Sequence, residues 1–513
     1  MDLSPFDPAS LRILERLDQL EDILRSQQPR GISIGTDDAL PIESPPEFHL
    51  LHISVKDVLS WSVFQGRFDA HLDIKSLLRR IPLDKTVHSP ASVDSYVSVG
   101  DLEFNVGLKL LENFLQHVHV KNPILDEAKI RQMVHRVSLE GFGWDPESCL
   151  VLLVYALGSI ASSFNNASLS DSTSLSRANA YFNTSQKRIG TMLGRGGILE
   201  AQCFFFSGVY LMSVLQPIHA WRCFVQALAC CQEFDFATQS FGIGSNTTTG
   251  TSRSPPAEES VYWTCWKSEF EVRMHLQLPD FTVKDYVYPR LFPTPPAESA
   301  EEEHRGWYFY LAEISLRRLD THIRNEIWRT RRPNNDLDFV ELSEAVMSYE
   351  DQAAAWKLSL PDIISLQTPE EEDDVLKFIL RGHLMNFYEV IYWPFVETFI
   401  NQQQRSVAVE NYAQKGLQCC IERIRLNKPG FTHRHHGTWF MLQSCTRSAL
   451  VLLAFAHAMN GTELMPDKWK DAVLDVIEML RFWEHEVGDA GDRLRILEDL
   501  IDSVELGIAP INL

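Results

Sequence analysis

The sequence predicts an all-α protein: a large multi-helix region of antiparallel helix pairs behind a short N-terminal heptad helix. Three observations carry this expectation. Apolar residues recur at helical spacing along most of the chain, as at Leu108, Leu111, Phe114, Leu115 and Val118. Alternating β-branched runs bounded by tight turns are missing. No internal repeat of fixed period divides the 513 residues.

Taken in order, residues 1–28 open with Asp7 as N-cap and Pro8 at the first helical position. Ile13, Leu17, Leu20 and Leu24 follow at spacings of four, three and four. That is a seam of about two heptads, suited either to pairing with a second copy or to docking on its own domain. Residues 29–50 read as a linker, because Pro29, Gly31, Gly35, Pro41 and Ser44-Pro45-Pro46 break any helix. The all-α region then spans 51–513. Leu150–Ile160 is apolar almost all round and reads as a central buried helix. Residues 162–176 read as a Ser/Asn-rich loop, and 201–236 as two helices broken at Gln216-Pro217. Connections rich in Gly, Ser, Thr or Pro follow at 241–256 and 289–300. Later helices are expected at Trp307–Trp328, Glu341–Lys357, Val375–Asn401, Ala408–Leu426, Trp439–Met459, Lys468–His485 and Asp492–Leu506.

Composition narrows the function. With 45% hydrophobic and 23% charged residues, the chain has the balance of a globular protein. Its 47 basic and 69 acidic side chains leave a net charge of −22, which repels phosphate backbones and anionic lipid. Nine cysteines are too few for a disulfide scaffold, and most sit in apolar runs as buried thiols. The N-terminus lacks the basic start and apolar core of a secretory signal, and the longest apolar runs fall short of a membrane span. An intracellular, soluble protein without a membrane partner is expected.

No segment assembles a nucleophile, a base and an oxyanion hole. Gly31-Ile32-Ser33-Ile34-Gly35 has the letters of a nucleophile elbow but not the strand–turn–helix setting. His485-Glu486 begins like a zinc-protease helix, yet Asp489 stands where the second histidine belongs. His433, His435 and His436 crowd a short turn after Pro429-Gly430, where a metal would need a further ligand from elsewhere. Glu370-Glu371-Glu372-Asp373-Asp374 resembles the acidic magnesium motif of all-α terpene synthases, but without a second acidic motif of that type. It keeps one alternative open, an all-α enzyme acting on an apolar isoprenoid-like substrate. The run and Glu301-Glu302-Glu303 otherwise read as solvated acidic loops. No catalytic, cofactor-binding or metal-binding residue is assigned. Arg329, Arg331 and Arg332 form a short basic patch with the character of a nuclear-import signal.

The aromatic-rich helices resemble the regulatory region of fungal zinc-cluster transcription factors, the fungal-specific transcription factor domain. The matching segments are Leu51-His52 through Val58-Leu59-Ser60-Trp61, Leu110-Leu111-Glu112-Asn113-Phe114 through Ile124-Leu125-Asp126, and Leu150 to Gly158. Ala220-Trp221 with Ala227 and Cys230, the run from Glu258 to Glu269, and Trp307 to Ile314 continue the series. His435-His436-Gly437-Thr438-Trp439 and Phe482-Trp483-Glu484 complete it. Ser62 departs from the Trp-Pro pair usual in the family.

The resemblance implies a nuclear transcription regulator that senses a small-molecule effector, contacts transcription machinery or co-regulators, and self-associates. It extends to control of a specialised-metabolism gene cluster. The family's DNA-binding element carries two zinc ions on six closely spaced cysteines, whereas the first cysteine here is Cys149. Zinc and DNA binding are therefore expected only through an upstream module absent from this chain. Either the gene model is truncated or the regulator acts without such a module. If the Ile13–Leu24 seam pairs two copies, replacing Leu17 and Leu20 with Glu puts like charges in it. Sedimentation velocity should then show a dimer becoming a monomer with helix content unchanged.

Overall fold

The computed structural model describes residues 53–68, 104–164, 172–234, 256–278, 301–329, 339–402, 406–459 and 465–505. Ile13, Leu17, Leu20 and Leu24, the 29–50 linker, and Arg331 and Arg332 lie outside these residues. Among the described residues the protein is all-α, with no strand.

The helices of the first half are α1 (Val55–Leu59), α2 (Phe104–His117), α3 (Glu127–Glu140), α4 (Pro146–Ile160), α5 (Ser172–Ile189), α6 (Ile198–Ser213), α7 (Pro217–Cys230) and α8 (Pro256–Leu276). Those of the second half are α9 (Glu301–Arg329), α10 (Phe339–Ser359), α11 (Val375–Asn401), α12 (Val407–Asn427), α13 (Thr438–Ala458), α14 (Trp469–Trp483) and α15 (Ala490–Glu505). Local chemistry sets many of the starts. Asp145 accepts from the Ser148 N–H at 2.8 Å and Pro146 opens α4. Asp126 caps α3 through the Lys129 N–H, and Asp374 caps α11 through the N–H groups of Leu376 and Lys377.

Two expected loops are helical in part. The Ser/Asn-rich stretch becomes α5 from Ser172 onward, although such residues favour turns over helix interiors. Packing overrides propensity there: Ala178, Tyr181 and Ser185 are buried, and α5 lies against α4. Glu301-Glu302-Glu303 forms the first turn of α9 rather than a loop.

The chain clusters into two compact units, a division that the sequence, read as one region over 51–513, did not suggest. The smaller gathers Tyr308–Cys419; the larger gathers Ser54–Phe281, the segment ending at Trp307, and Cys420–Leu513. In the smaller unit Trp356 is fully buried and its indole N–H donates to the Ser315 hydroxyl at 2.8 Å. Tyr349 donates to Glu326 at 2.6 Å in the same interior. Pro394 sits inside α11, where it removes one backbone donor.

The larger unit is built on three helices buried almost all round. In α4 the residues from Ser148 to Gly158 are buried, in α6 those from Ala201 to Ser213, and in α13 those from Met441 to Ala456. By length and composition α13 could cross a membrane, but 94% of its most apolar stretch is buried inside the protein. All nine cysteines are free, and all except Cys223 are buried.

One contact sets the spacing of α2 and α4. A Cβ at Gly158 would stand 2.1 Å from the Leu110 carbonyl oxygen, and Asn113 donates to the Gly158 carbonyl at 3.3 Å. Backbone meets backbone there, so no side chain can swing aside. Gly158→Ala should therefore cost about 1–3 kcal/mol, the usual penalty of overpacking a core. The urea midpoint of the larger unit reports it.

Candidate functional site

The most unusual chemistry of the larger unit lies where two polar turns meet the ends of α4 and α6. The first turn follows α2. Pro123 disfavours helix at Asn122, and the chain closes instead into a 3-10 turn over His119–Lys121. The second turn, His433–Gly437, runs from the 3-10 turn Lys428–Gly430 into α13. A narrow crevice with ≈ 20 Å³ of internal volume, partly open to solvent, lies between them. His117, Lys121, His433, Arg434, His435 and His436 supply its polar lining, and Val118, Leu157, Ile160 and Val209 its apolar walls.

Hydrogen bonds hold the second turn rigidly. The Thr438 hydroxyl accepts from the His435 N–H and donates to the His433 carbonyl, both at 2.9 Å. The Gly437 N–H donates to His435 Nδ1 at 3.0 Å. A Cβ on Gly437 would come within 2.7 Å of the His435 ring, so this approach needs glycine. Arg434 donates to the Ser213 carbonyl at 3.1 Å and to both oxygens of Glu486 at 2.7 and 2.6 Å. Its guanidinium stacks 5.0 Å from the Trp483 ring centroid, and the Trp483 indole donates to the Phe431 carbonyl at 2.7 Å.

The electrostatics follow from burial. His119 and His433 are each pushed down to about 4, and His435 well below its ordinary range, because burial penalises the imidazolium. All three are neutral at pH 7. His435 takes the Gly437 N–H on Nδ1, so its proton must sit on Nε2, and that buried N–H has no acceptor. Leaving such a donor unpaired costs about 1–3 kcal/mol. Lys121 is only 5% exposed, and burial pulls its ammonium down to about 8. Its Nζ has no hydrogen-bond partner or carboxylate among the described residues. The cation nearby also helps to keep His433 and His435 neutral.

Of the residues singled out in the sequence, His433, His435 and His436 do meet in one place, but as a stacked and edge-on set 5.4 and 6.1 Å apart between ring centroids. No group of three or more His, Cys, Asp or Glu among the described residues is arranged to hold a metal. The acidic run is partly committed elsewhere. Asp373 pairs with Arg381, whose guanidinium also donates to the Leu366 and Thr368 carbonyls at 3.1 and 2.8 Å, and Asp374 caps α11. His485 is exposed beyond the end of α14. Arg329 is the last residue of α9. Sequence reasoning missed His117, His119 and Lys121 as site residues. The available signal was His-Val-His-Val-Lys, three polar groups inside a segment otherwise built for the core.

The buried histidines make a pH dependence. Their native pKa values lie below the unfolded value near 6.5, so the unfolded chain binds more protons between the two. Stability is full above pH 6.5 and falls as pH drops toward 4. Between pH 7 and pH 5 each histidine held near 4 should cost roughly 2 kcal/mol. Urea titrations at the two pH values should show this, and His119→Gln, neutral throughout, should flatten the loss. No family model, no curated protein and no solved structure matches the chain.

Proposed function

We propose that the chain is the regulatory region of a transcription regulator of the fungal zinc-cluster type. It acts in the nucleus, without catalysis of its own, through a small-molecule effector and through contacts with transcription machinery or co-regulators. It self-associates, and it reaches DNA only through a zinc-cluster module that this chain lacks. Control of a specialised-metabolism gene cluster rests on the resemblance alone.

One observation carries the reading: the family-like segments fall, in order, on buried helical positions. Leu111 and Phe114 are buried on α2, and Leu150–Gly158 lies within α4. Ala220, Trp221 and Ala227 are buried on α7, and Val261, Trp263 and Cys265 on α8. Trp439 is buried on α13 and Trp483 ends α14. The pattern therefore belongs to a core, which is what a shared architecture would preserve. The apolar walls and convergent polar groups of the crevice support the effector part of the reading.

Tethering the chain to a heterologous DNA-binding module tests this. Reporter expression should change several-fold relative to the module alone, in either direction. The untethered chain should enrich no sequence from random duplexes at physiological salt, because a net charge of −22 opposes phosphate contact. An unchanged reporter, or selective enrichment by the chain alone, would overturn the reading. Turnover of an isoprenoid diphosphate with magnesium would replace it with the enzyme.

A further inference from the structure

We propose that the crevice bounded by the His119–Lys121 and His433–Gly437 turns is a binding site for a small organic oxyanion, held by the Lys121 ammonium and the His435 Nε2–H. The inference deepens the regulatory reading by naming the chemistry of its effector.

The argument begins with what the site lacks. Lys121 and His435 are 5% and 7% exposed, so water cannot surround them as it surrounds a surface side chain. Among the described residues no carboxylate lines the crevice beside Lys121, and the buried His435 Nε2–H has no acceptor. The other cation of the crevice differs in this respect. Arg434 is answered by both oxygens of Glu486 and by the Ser213 carbonyl. Two donors are thus left without acceptors in one concavity, and one of them carries positive charge.

Ligand chemistry follows from that inventory. A metal cation would meet the Lys121 charge at close range and would need the His435 nitrogen that already holds the proton. A neutral apolar molecule would bury both donors more deeply and satisfy neither. An oxyanion accepts from both, and charge-assisted bonds of this kind are stronger than neutral ones. The walls of Val118, Leu157, Ile160 and Val209 suit an apolar body attached to the anionic head. With only ≈ 20 Å³ of internal volume, the crevice takes the anionic head alone, a single carboxylate or phosphate group, and leaves the rest of the ligand at its open mouth.

The test uses the full chain with inorganic phosphate and, separately, hexanoate as probes, against chloride at matched ionic strength. Thermal unfolding should move upward with probe concentration and saturate, since the ligand binds only the folded state. A larger response to hexanoate identifies a carboxylate with an apolar tail; a larger response to phosphate identifies a phosphoryl head. Lys121→Met keeps the buried stem and removes the charge, and should weaken the apparent affinity at least tenfold. It should also raise the unfolding midpoint without probe, because an uncompensated buried charge is gone.

A second measurement needs no variant. Lys121, whose amine titrates below ordinary lysines, should be methylated by formaldehyde and borohydride near pH 8, and the preferred probe should slow that several-fold. Lys129, which is well exposed, should be unaffected by the probe. If neither probe shifts the midpoint more than chloride does, or if Lys121→Met responds as the parent does, the site is not an oxyanion site. A failure here with the tethered reporter still active would leave the regulatory reading standing. Saturable binding with an inert reporter would do the reverse.

Discussion

The candidate site depends on Arg434. Its guanidinium is nearly buried, yet it ties three separate pieces of the larger unit together: the end of α6 through the Ser213 carbonyl, the segment after α14 through Glu486, and the Trp483 ring by stacking. Nη2 reaches both Glu486 oxygens while Nη1 takes the Ser213 carbonyl, and the planar guanidinium holds these contacts in a fixed relative geometry. Removing Glu486 would leave the nearly buried Arg434 charge without its carboxylate, whereas Glu486, 39% exposed, keeps its contact with water if Arg434 is removed. With Arg434 fixed, the backbone on either side of it is fixed as well. His433 and His435 flank it, and the Thr438 hydroxyl closes the turn from inside. The His433–Gly437 wall of the crevice is therefore held by one ion pair and one hydroxyl.

Lys121 stands in contrast. Burial without a partner is the arrangement that folding alone would avoid, since a charged group removed from water is costly unless it is paired. The neighbouring histidines answer the same pressure by staying neutral, and their pKa values fall accordingly. The region thus stores positive potential without storing positive charge on the imidazoles. Perturbed groups gathered in a concavity are the usual mark of a functional site, and here the perturbation has a named physical cause in desolvation.

The large apolar helices have a simpler explanation. A helix buried on every side has no solvent face: α4 and α6 are mostly apolar, and in α13 even Gln443, Ser444, Thr446, Arg447 and Ser448 are buried. In α13 this makes a stretch apolar enough to cross a membrane by composition, while its surroundings make it a core helix. Aromatic side chains supply much of the contact area around these helices, as in the edge-to-face pair of Phe114 with Phe206 at 5.2 Å.

The sequence by itself determined the class and most of the helices, because helical hydrogen bonds and i, i+4 contacts are local and leave a local period. The expected Val375–Asn401 helix matches α11 end to end, and the break at Gln216-Pro217 falls between α6 and α7. It erred where local preference and packing disagree, as at Ser172 in α5. It also marked His433, His435 and His436 as a cluster in a short turn, but not that His433 and His435 are buried. Only the tertiary structure decided that the turn after α2 meets the turn before α13. Lys121 and His435 are far apart in the chain, and no spacing rule links them. Whether a histidine is neutral, or a lysine unpaired, depends on which distant carboxylates and walls arrive beside it.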